Sequence, residues 1–287
     1  MLVRGPFALA VVVTALVGTG SGCAAAEAPE GLDDLSRFLF DRFQPAEGLE
    51  AAAQETEIRD AVSKIADEFA GQNIALDAPF TGTLKDLEVA NVVDLEGVGS
   101  RADEIELAQG FALANLTNCG IQQEVNLVMA NRAMEIHPDV YESYDKAFDG
   151  DAAAFKNGDV DLMTWVTTYK IQTPPVGSAY EARLRAGGRR VRGVEGEAIG
   201  DIFMTRVHLL EPAQFDGDGS SFDLDFQMEV YFEDGDGAIK HFYGMWRRMV
   251  LGPVDSSSEL FIGQTLSGFV DFENRVDAAC VEGLLDE

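Results

Sequence analysis

From Gly158 to Gly268 the dominant hydropathy period is two residues, the spacing that places alternate side chains on opposite faces of a β-strand. The clearest segment runs from Phe222 to Phe232, where every second residue is apolar. Short, turn-rich stretches separate these segments, so neighbouring strands are expected to be antiparallel. The pattern predicts six or seven antiparallel strands over 158–268, in a sheet that packs one face on helices or curves into a half-barrel.

Two turns of this region are predicted from glycine placement. Gly187-Gly188 lies between two alternating runs and indicates a two-residue hairpin loop. The segment 234–237, Asp-Gly-Asp-Gly, suits a type II′ turn with Gly235 first. A two-residue loop there pairs Val230 with His241 and puts His241 on the same face as the phenylalanines.

Helical periods dominate the flanking segments. Over 32–157 the chain is predicted to be mainly helical, with apolar residues at spacings of three and four in 32–43 and 58–69. Another helix is predicted from Pro138, with Tyr141 and Tyr144 on one face. The expected fold class is therefore α+β, with N-terminal helices followed by the antiparallel sheet.

The last part of the chain is predicted to contain a strand at Leu260–Leu266 and a closing helix over 269–285. Residues 32–287 are interpreted as a single α+β domain. Two cysteines usually pair when a chain is exported, and the N-terminal pattern described next predicts export, so Cys119 and Cys280 are expected to form a disulfide. That bond would close a loop of about 160 residues and tie the C-terminal segment to the N-terminal half. Two separate buried thiols are the alternative.

The first residues have the pattern of a secretory signal. Arg4 precedes an apolar run of 11 residues, Phe7 to Val17, which is too short to span a bilayer and matches a signal-peptide core. Small residues then lead to Cys23. This arrangement resembles the lipobox of bacterial lipoproteins.

The resemblance implies that 1–22 is a signal peptide and that Cys23 is lipidated as the mature N-terminus, anchoring the chain to a membrane. The small, polar segment 23–31 is interpreted as a tether. Because Ala24 replaces the Asp that retains some such proteins at the inner membrane, the resemblance favours the outer membrane or the cell surface. Plain export without lipid is the alternative.

The charge of the chain restricts its partners. Fifty acidic residues against 21 basic ones give a net charge of −29. Such a chain repels phosphate backbones, so nucleic acid is excluded as an expected partner. An envelope protein or a lipid ligand remains as the expected partner.

One group of polar residues is predicted on the sheet. If the strands 202–210 and 222–232 are neighbours, five side chains share the face that carries the phenylalanines, as a polar cluster on an apolar wall. These candidate ligand-binding residues are Arg206, His208, His241, Tyr243 and Arg247. Solvent-facing positions at a sheet edge are the alternative.

A second group is basic. If Gly187-Gly188 forms a hairpin, four arginines lie on one face and become a candidate anion site, unless neighbouring acids neutralise them. These arginines are Arg183, Arg185, Arg190 and Arg192.

The chain contains no nucleophile elbow, phosphate-binding glycine loop or dinucleotide fingerprint, and no spacing typical of a metal site. No catalytic residue, metal or cofactor is therefore predicted. The expected function is a non-enzymatic structural or assembly role in the cell envelope. The first alternative is a carrier of an apolar or amphiphilic ligand, expected to bind in a cavity lined by Phe222, Phe226, Met228 and Trp165. The second is a hydrolase-like enzyme, which would need His208 and His241 to converge in a cleft.

Overall fold

The structure is a computed structural model. It describes residues 25–286 apart from 49, 73, 76–77, 172–178, 217–218, 236 and 251–258. The helices are α1 (Leu32–Asp41), α2 (Glu50–Phe69), α3 (Val89–Val92), α4 (Ile121–Met129), α5 (Ala133–Ile136), α6 (Ala152–Asn157) and α7 (Glu259–Val281), with a 3₁₀ helix at Gly99–Leu107. The strands are β1 (Phe80–Leu84), β2 (Gln109–Thr117), β3 (Tyr141–Phe148), β4 (Leu162–Ile171), β5 (Tyr180–Val191), β6 (Ile199–Leu209), β7 (Ala213–Gln214), β8 (Ser221–Asp234) and β9 (Ile239–Val250).

The described strands form one antiparallel sheet of nine strands in the order β1-β2-β9-β8-β6-β5-β4-β3, with the short β7 paired to β8. The sheet is open, with β1 and β3 at its ends, and does not close on itself. This confirms the predicted α+β class with an antiparallel sheet and a C-terminal helix. Three of the nine strands lie within 32–157, so the prediction that this part is mainly helical was incomplete.

The first face of the sheet forms the main core. The alternating apolar residues of β8, such as Phe226 and Val230, are fully buried there against α1 and α2. Helix α1 contributes Phe40, whose ring contacts Phe226 edge-on at 6.4 Å and Trp246 at 5.8 Å. Because apolar residues recur on one stripe of each helix, burial of this stripe determines which faces of α1 and α2 meet the sheet.

The second face of the sheet is covered by α7, and a disulfide between Cys119 and Cys280 holds the end of that helix. Beside it, the buried carboxylate of Asp277 accepts hydrogen bonds from Thr117 Oγ1 (2.7 Å), the Asn118 backbone N–H (3.0 Å) and Asn118 Nδ2 (2.6 Å). The C-terminal end of α7 is thus fixed to the end of β2 by one covalent and three polar contacts.

The hairpin predicted at Gly187-Gly188 is wrong, because β5 runs through both glycines without interruption. Aromatic rings take the space that side chains would need. A Cβ on Gly187 would meet the ring of Phe43 at 2.8 Å, and one on Gly188 would meet the ring of Phe203 at 3.1 Å. The pair therefore allows close packing on both faces of a central strand instead of a turn.

The predicted register of the β8–β9 hairpin is also wrong, by one residue. The last pair before the turn is Glu233 with Ile239, so the loop is longer than two residues, and His241 pairs with Tyr231 instead of Val230. A shift of one residue turns every side chain of a strand to the other face. His241 and its alternate neighbours in β9 therefore point away from the phenylalanine-rich core.

Two predicted elements have the opposite secondary structure. The predicted helix after Pro138 is strand β3, where Tyr144, Lys146 and Phe148 alternate towards one face and pair with β4. The predicted strand at Leu260–Leu266 is the first part of α7. In that helix, Ile262, Leu266 and Phe269 follow helical spacing and pack on the sheet. A short apolar run fits a strand or a helix equally well, and here packing against the distant sheet selects the helix.

The segment predicted as a tether is partly bound to the domain. The backbone N–H groups of Ala26 and Ala28 donate to Glu57 and Asp60 of α2, each at 2.9 Å, and Ala28 is buried. From Ala26 onward this segment therefore lies along α2.

Replacing both bridging cysteines by alanine (C119A/C280A) should lower the free energy of unfolding by about 2–4 kcal/mol, because the unfolded chain regains the freedom of a long loop. Urea unfolding monitored by circular dichroism measures this change, and wild-type protein under reducing conditions should behave similarly. An intact mass equal to that of the all-thiol chain would contradict the disulfide.

Candidate ligand-binding site

A cavity of about 510 Å³ lies between the second face of the sheet and α7. Its floor is formed by residues of β3, β4, β5, β6, β8 and β9, and its roof includes Phe269, Phe272 and Val276 of α7. The segment around α4 and α5 contributes a side wall with Leu127 and Ile136. The volume is within the range of small-molecule sites in proteins.

The chain has six tyrosines, and every one of them lines this cavity. Neighbouring rings touch edge-on, with centroids 5.1 Å apart for Tyr141 and Tyr144 and 5.7 Å apart for Tyr141 and Tyr169. Burial raises the pKa of all six hydroxyls, so they are neutral hydrogen-bonding groups at physiological pH. A tyrosine-lined wall offers apolar surface with polar tips. The remaining tyrosines are Tyr180, Tyr231 and Tyr243.

A polar group on one side of the cavity connects the sheet to α7. His241 of β9 stacks on the ring of Tyr231 at 4.1 Å, and its Nδ1 lies 3.1 Å from Glu273 Oε2 of α7. Its Nε2 lies 4.0 Å from Glu229 Oε2, which accepts a hydrogen bond of 2.8 Å from the Tyr231 hydroxyl. The His241–Glu273 pair is therefore a polar link between the sheet and the helix that covers it.

The charges of this polar group depend on one another. Burial alone would lower the pKa of His241, but the adjacent carboxylate of Glu273, together with Glu229 and Glu124, outweighs burial and raises it to about 9. Burial is also the main cause that raises the pKa of Glu229, and that of Glu124 to about 8. With this pKa, His241 is protonated at neutral pH, as an imidazolium.

A second ion pair, with a buried carboxylate, lies further along β8 and β9. Arg247 donates from Nε and Nη2 to the two carboxylate oxygens of Asp225 at 3.0 and 3.2 Å. Its guanidinium lies over the rings of Phe222 and Phe269, 4.8 and 5.4 Å from their centroids. Burial opposes this charge, but Asp225 outweighs it and raises the pKa of Arg247. The pair satisfies its own charges and leaves no net charge at this side of the cavity.

The predicted ligand-binding cluster is split between the two faces of the sheet. His241, Tyr243 and Arg247 lie together on the cavity side. Arg206 and His208 lie on the core side, where Arg206 donates to the Phe40 carbonyl at 3.2 Å and His208 Nε2 lies 3.0 Å from the Glu96 carbonyl. The hypothesis that all five residues share one face was wrong, because the one-residue register shift moved the β9 residues to the other face.

The four residues predicted to line a ligand cavity do not lie together. Of the four residues expected there, Trp165 lines the cavity, while Phe226 and Met228 belong to the core against α1 and α2. Phe222 packs with the tyrosine cluster near Tyr180 at 5.7 Å. His208 and His241 lie on opposite faces, so the cleft that would unite them is not formed.

The arginines of the predicted anion site each have a partner in the protein. Arg183 pairs with Glu211 at 3.2 Å, and Arg185 pairs with Glu96 and Asp149 at 2.6 and 2.7 Å. Arg190 and Arg192 bond to the carbonyls of Lys156 and Gly158, and Arg192 pairs with Asp161. Since the hairpin does not exist, the four do not form one surface, and nearby acids neutralise three of them.

Sequence reasoning missed Lys146, Glu229 and Glu273, as well as the role of the tyrosines. Tyr144 and Lys146 were assigned to a helix, although their alternation with Phe148 is a period-two signal. Among the described residues, no three His, Cys, Asp or Glu side chains are arranged to hold a metal ion. Within the same residues, no helix has the length and hydropathy needed to cross a membrane.

No protein-family profile and no curated protein sequence matches the chain. Among solved structures, the chain is similar to a fragment of a STAR-related lipid transfer protein from Xanthomonas axonopodis, with 11% sequence identity and a TM-score of 0.39. The match covers 59% of this chain and 84% of that one. Similarity at this level leaves the function to be inferred from the cavity itself.

Replacing Glu273 by glutamine (E273Q) should lower the pKa of His241, because burial is then opposed by fewer negative charges. In the wild type the raised pKa contributes stability that is complete below about pH 6.5 and is lost as pH rises through about 9. The expected contribution is on the order of 3 kcal/mol, and E273Q should lose most of it. NMR titration of the His241 imidazole and urea unfolding between pH 6 and 9 measure both effects.

Other buried groups titrate in both proteins. The difference in unfolding free energy between wild type and E273Q therefore reports on the His241–Glu273 pair. The matched control is E282Q, because Glu282 is exposed just past the end of the same helix. An unchanged imidazole titration in E273Q would show that Glu273 does not set the charge of His241.

Proposed function

We propose that the protein binds one single-chain amphiphile in the cavity beneath α7. The observation that carries this proposal is the cavity itself, about 510 Å³ in volume and lined by all six tyrosines together with Trp165. A cavity of this volume is within the range of small-molecule sites and accommodates one acyl chain with a small headgroup.

The wall chemistry supports an amphiphile over a purely apolar ligand. Apolar and aromatic surface with a few convergent polar groups is the usual composition of a ligand site. Here the apolar part includes Leu184, Val207 and Met249, and the polar part includes Glu229 and Lys146. A ligand with a chain and a polar end can satisfy both parts.

The contacts of α7 suggest a path for the ligand. Its C-terminal end is held by the disulfide and by Asp277, whereas its earlier part contacts the sheet through partly buried side chains such as Ile262 and Leu266. Displacing apolar contacts costs less than breaking a covalent bond. We place ligand access at the N-terminal part of α7.

The proposal includes the localisation predicted from the sequence, a lipid anchor at Cys23 in the cell envelope. A carrier anchored there would hold its cavity close to a membrane that supplies amphiphiles. No chemical step is assigned to the site, and the protein is proposed to be a non-enzymatic binder. A purely structural or assembly role is the outcome that an empty cavity would favour.

Replacing Ala186 by phenylalanine (A186F) should abolish ligand binding, because Ala186 is buried on the floor of the cavity and the added ring would project into the space of the ligand. Native mass spectrometry of residues 24–287, exported to a periplasm and purified without detergent, should detect a non-covalent ligand on wild type and none on A186F. The ligand should dissociate on denaturation.

The matched control is A147F, which adds the same side chain at an exposed position of β3 and should retain the ligand. Trp165 gives a second readout, since it lines the cavity while Trp246 is buried in the opposite core. Adding tetradecanol to delipidated protein should change Trp165 emission. A wild-type protein that carries no ligand and does not respond to any single-chain amphiphile would exclude the proposed function.

A further inference from the structure

Lys146 is a half-buried base of the cavity that has no carboxylate partner among the described residues. It lies on β3 and lines the cavity wall. Its Nζ donates to the backbone carbonyls of Val128 at 2.7 Å and Ala130 at 3.4 Å. The rings of Tyr144 and Trp165 flank it, with their centroids 5.5 and 5.7 Å from Nζ.

Two other bases of the cavity region, His241 and Arg247, have carboxylate partners that Lys146 lacks. The buried His137 also lines the cavity, but burial lowers its pKa to about 4, so it carries no charge at neutral pH. His241 has the carboxylate of Glu273 at 3.1 Å, and Arg247 has that of Asp225 at 3.0 Å. Among the described residues, no carboxylate lies within ion-pair distance of Lys146, and its bonded partners are neutral carbonyls. Glu229 acts on Lys146 electrostatically, but its own close contacts are with Tyr231 and His241.

An ammonium in this position is costly without a counterion. Removing a charged group from water is unfavourable unless an opposite charge and hydrogen bonds compensate it. Burial lowers the pKa of Lys146 to about 7, because it disfavours the charged form of the side chain. An anionic group in the cavity would remove this cost, and an ammonium has three donors, of which two are used by Val128 and Ala130.

We infer that Lys146 binds the carboxylate of a single-chain amphiphile, whose acyl chain lies along the tyrosine-lined wall. This inference rests on the proposed function and specifies its ligand class. The bound carboxylate accepts a hydrogen bond from the third Nζ donor and balances the lysine charge. An alcohol of the same chain length fits the cavity but leaves that charge unbalanced, and an amine adds a second positive charge beside it.

The test compares tetradecanoate, tetradecanol and tetradecylamine on delipidated wild-type protein, by Trp165 fluorescence and by native mass spectrometry. Wild type should bind tetradecanoate at least about tenfold more tightly than tetradecanol, as expected for a charge-assisted hydrogen bond. In K146M that preference should disappear while tetradecanol binding changes by less than about twofold, because methionine keeps the apolar stem of lysine.

A control variant separates the role of Lys146 from general effects of charge. K170M removes a lysine from the neighbouring strand β4, where Lys170 pairs with Glu142 at 2.7 Å outside the cavity, and should keep the preference. Should K146M fail to fold, the wild-type comparison of the three ligands still tests whether the cavity prefers a carboxylate.

The outcomes distinguish the two proposals. Equal binding of tetradecanoate and tetradecanol by wild type would overturn the carboxylate inference and leave the proposed function standing. Retention of the tetradecanoate preference in K146M would show that a different group holds the carboxylate and would overturn the inference. Failure of all three ligands to bind would overturn the proposed function itself.

Discussion

The attachment of α7 to the end of β2 is the constraint on which the rest of the structure depends. The Cys119–Cys280 disulfide and the hydrogen bonds to Asp277 fix the last turns of the helix at one position beside the sheet. From that point the helix lies across the second face of the sheet, where side chains such as Phe269 reach Tyr243 at 5.1 Å. Because the helix is held at its C-terminal end and supported by large rings beside it, a space remains between helix and sheet.

The two faces of the sheet are packed differently, because one carries apolar side chains and the other carries tyrosines and charged groups. On the first face, α1 and α2 place apolar stripes directly on β8 and β9, and the result is a dry core with buried residues such as Phe226 and Trp246. On the second face, the inward residues are tyrosines and charged groups that cannot be packed to the same density without leaving polar atoms unpaired. There, His241 and Arg247 have carboxylate partners, whereas Lys146 donates to backbone carbonyls.

Much of the fold was predictable from the chain itself. The helical spacing of 32–43 and 58–69 predicted α1 and α2, and the alternation from Phe222 to Phe232 predicted β8 and its buried face. The disulfide was predicted from the number of cysteines. The site was predicted poorly, since two of the five candidate residues, Arg206 and His208, belong to the opposite face. The cause is a hairpin loop longer than two residues, and loop geometry depends on the pairing of the strands that it joins.

The amino-acid sequence by itself determined the periodicities, and with them which side chains within one strand or helix share a face, because backbone geometry sets a period of two or 3.6 residues. It also determined the excess of negative charge and the pair of cysteines available for a bond. Only the tertiary structure decided which of the two strand faces meets water, core or cavity. That choice depends on register and on long-range packing: Gly187 and Gly188 form no turn because aromatic rings from distant segments occupy the space beside them, and six tyrosines spread over more than a hundred residues meet around one cavity because the strands that carry them pair.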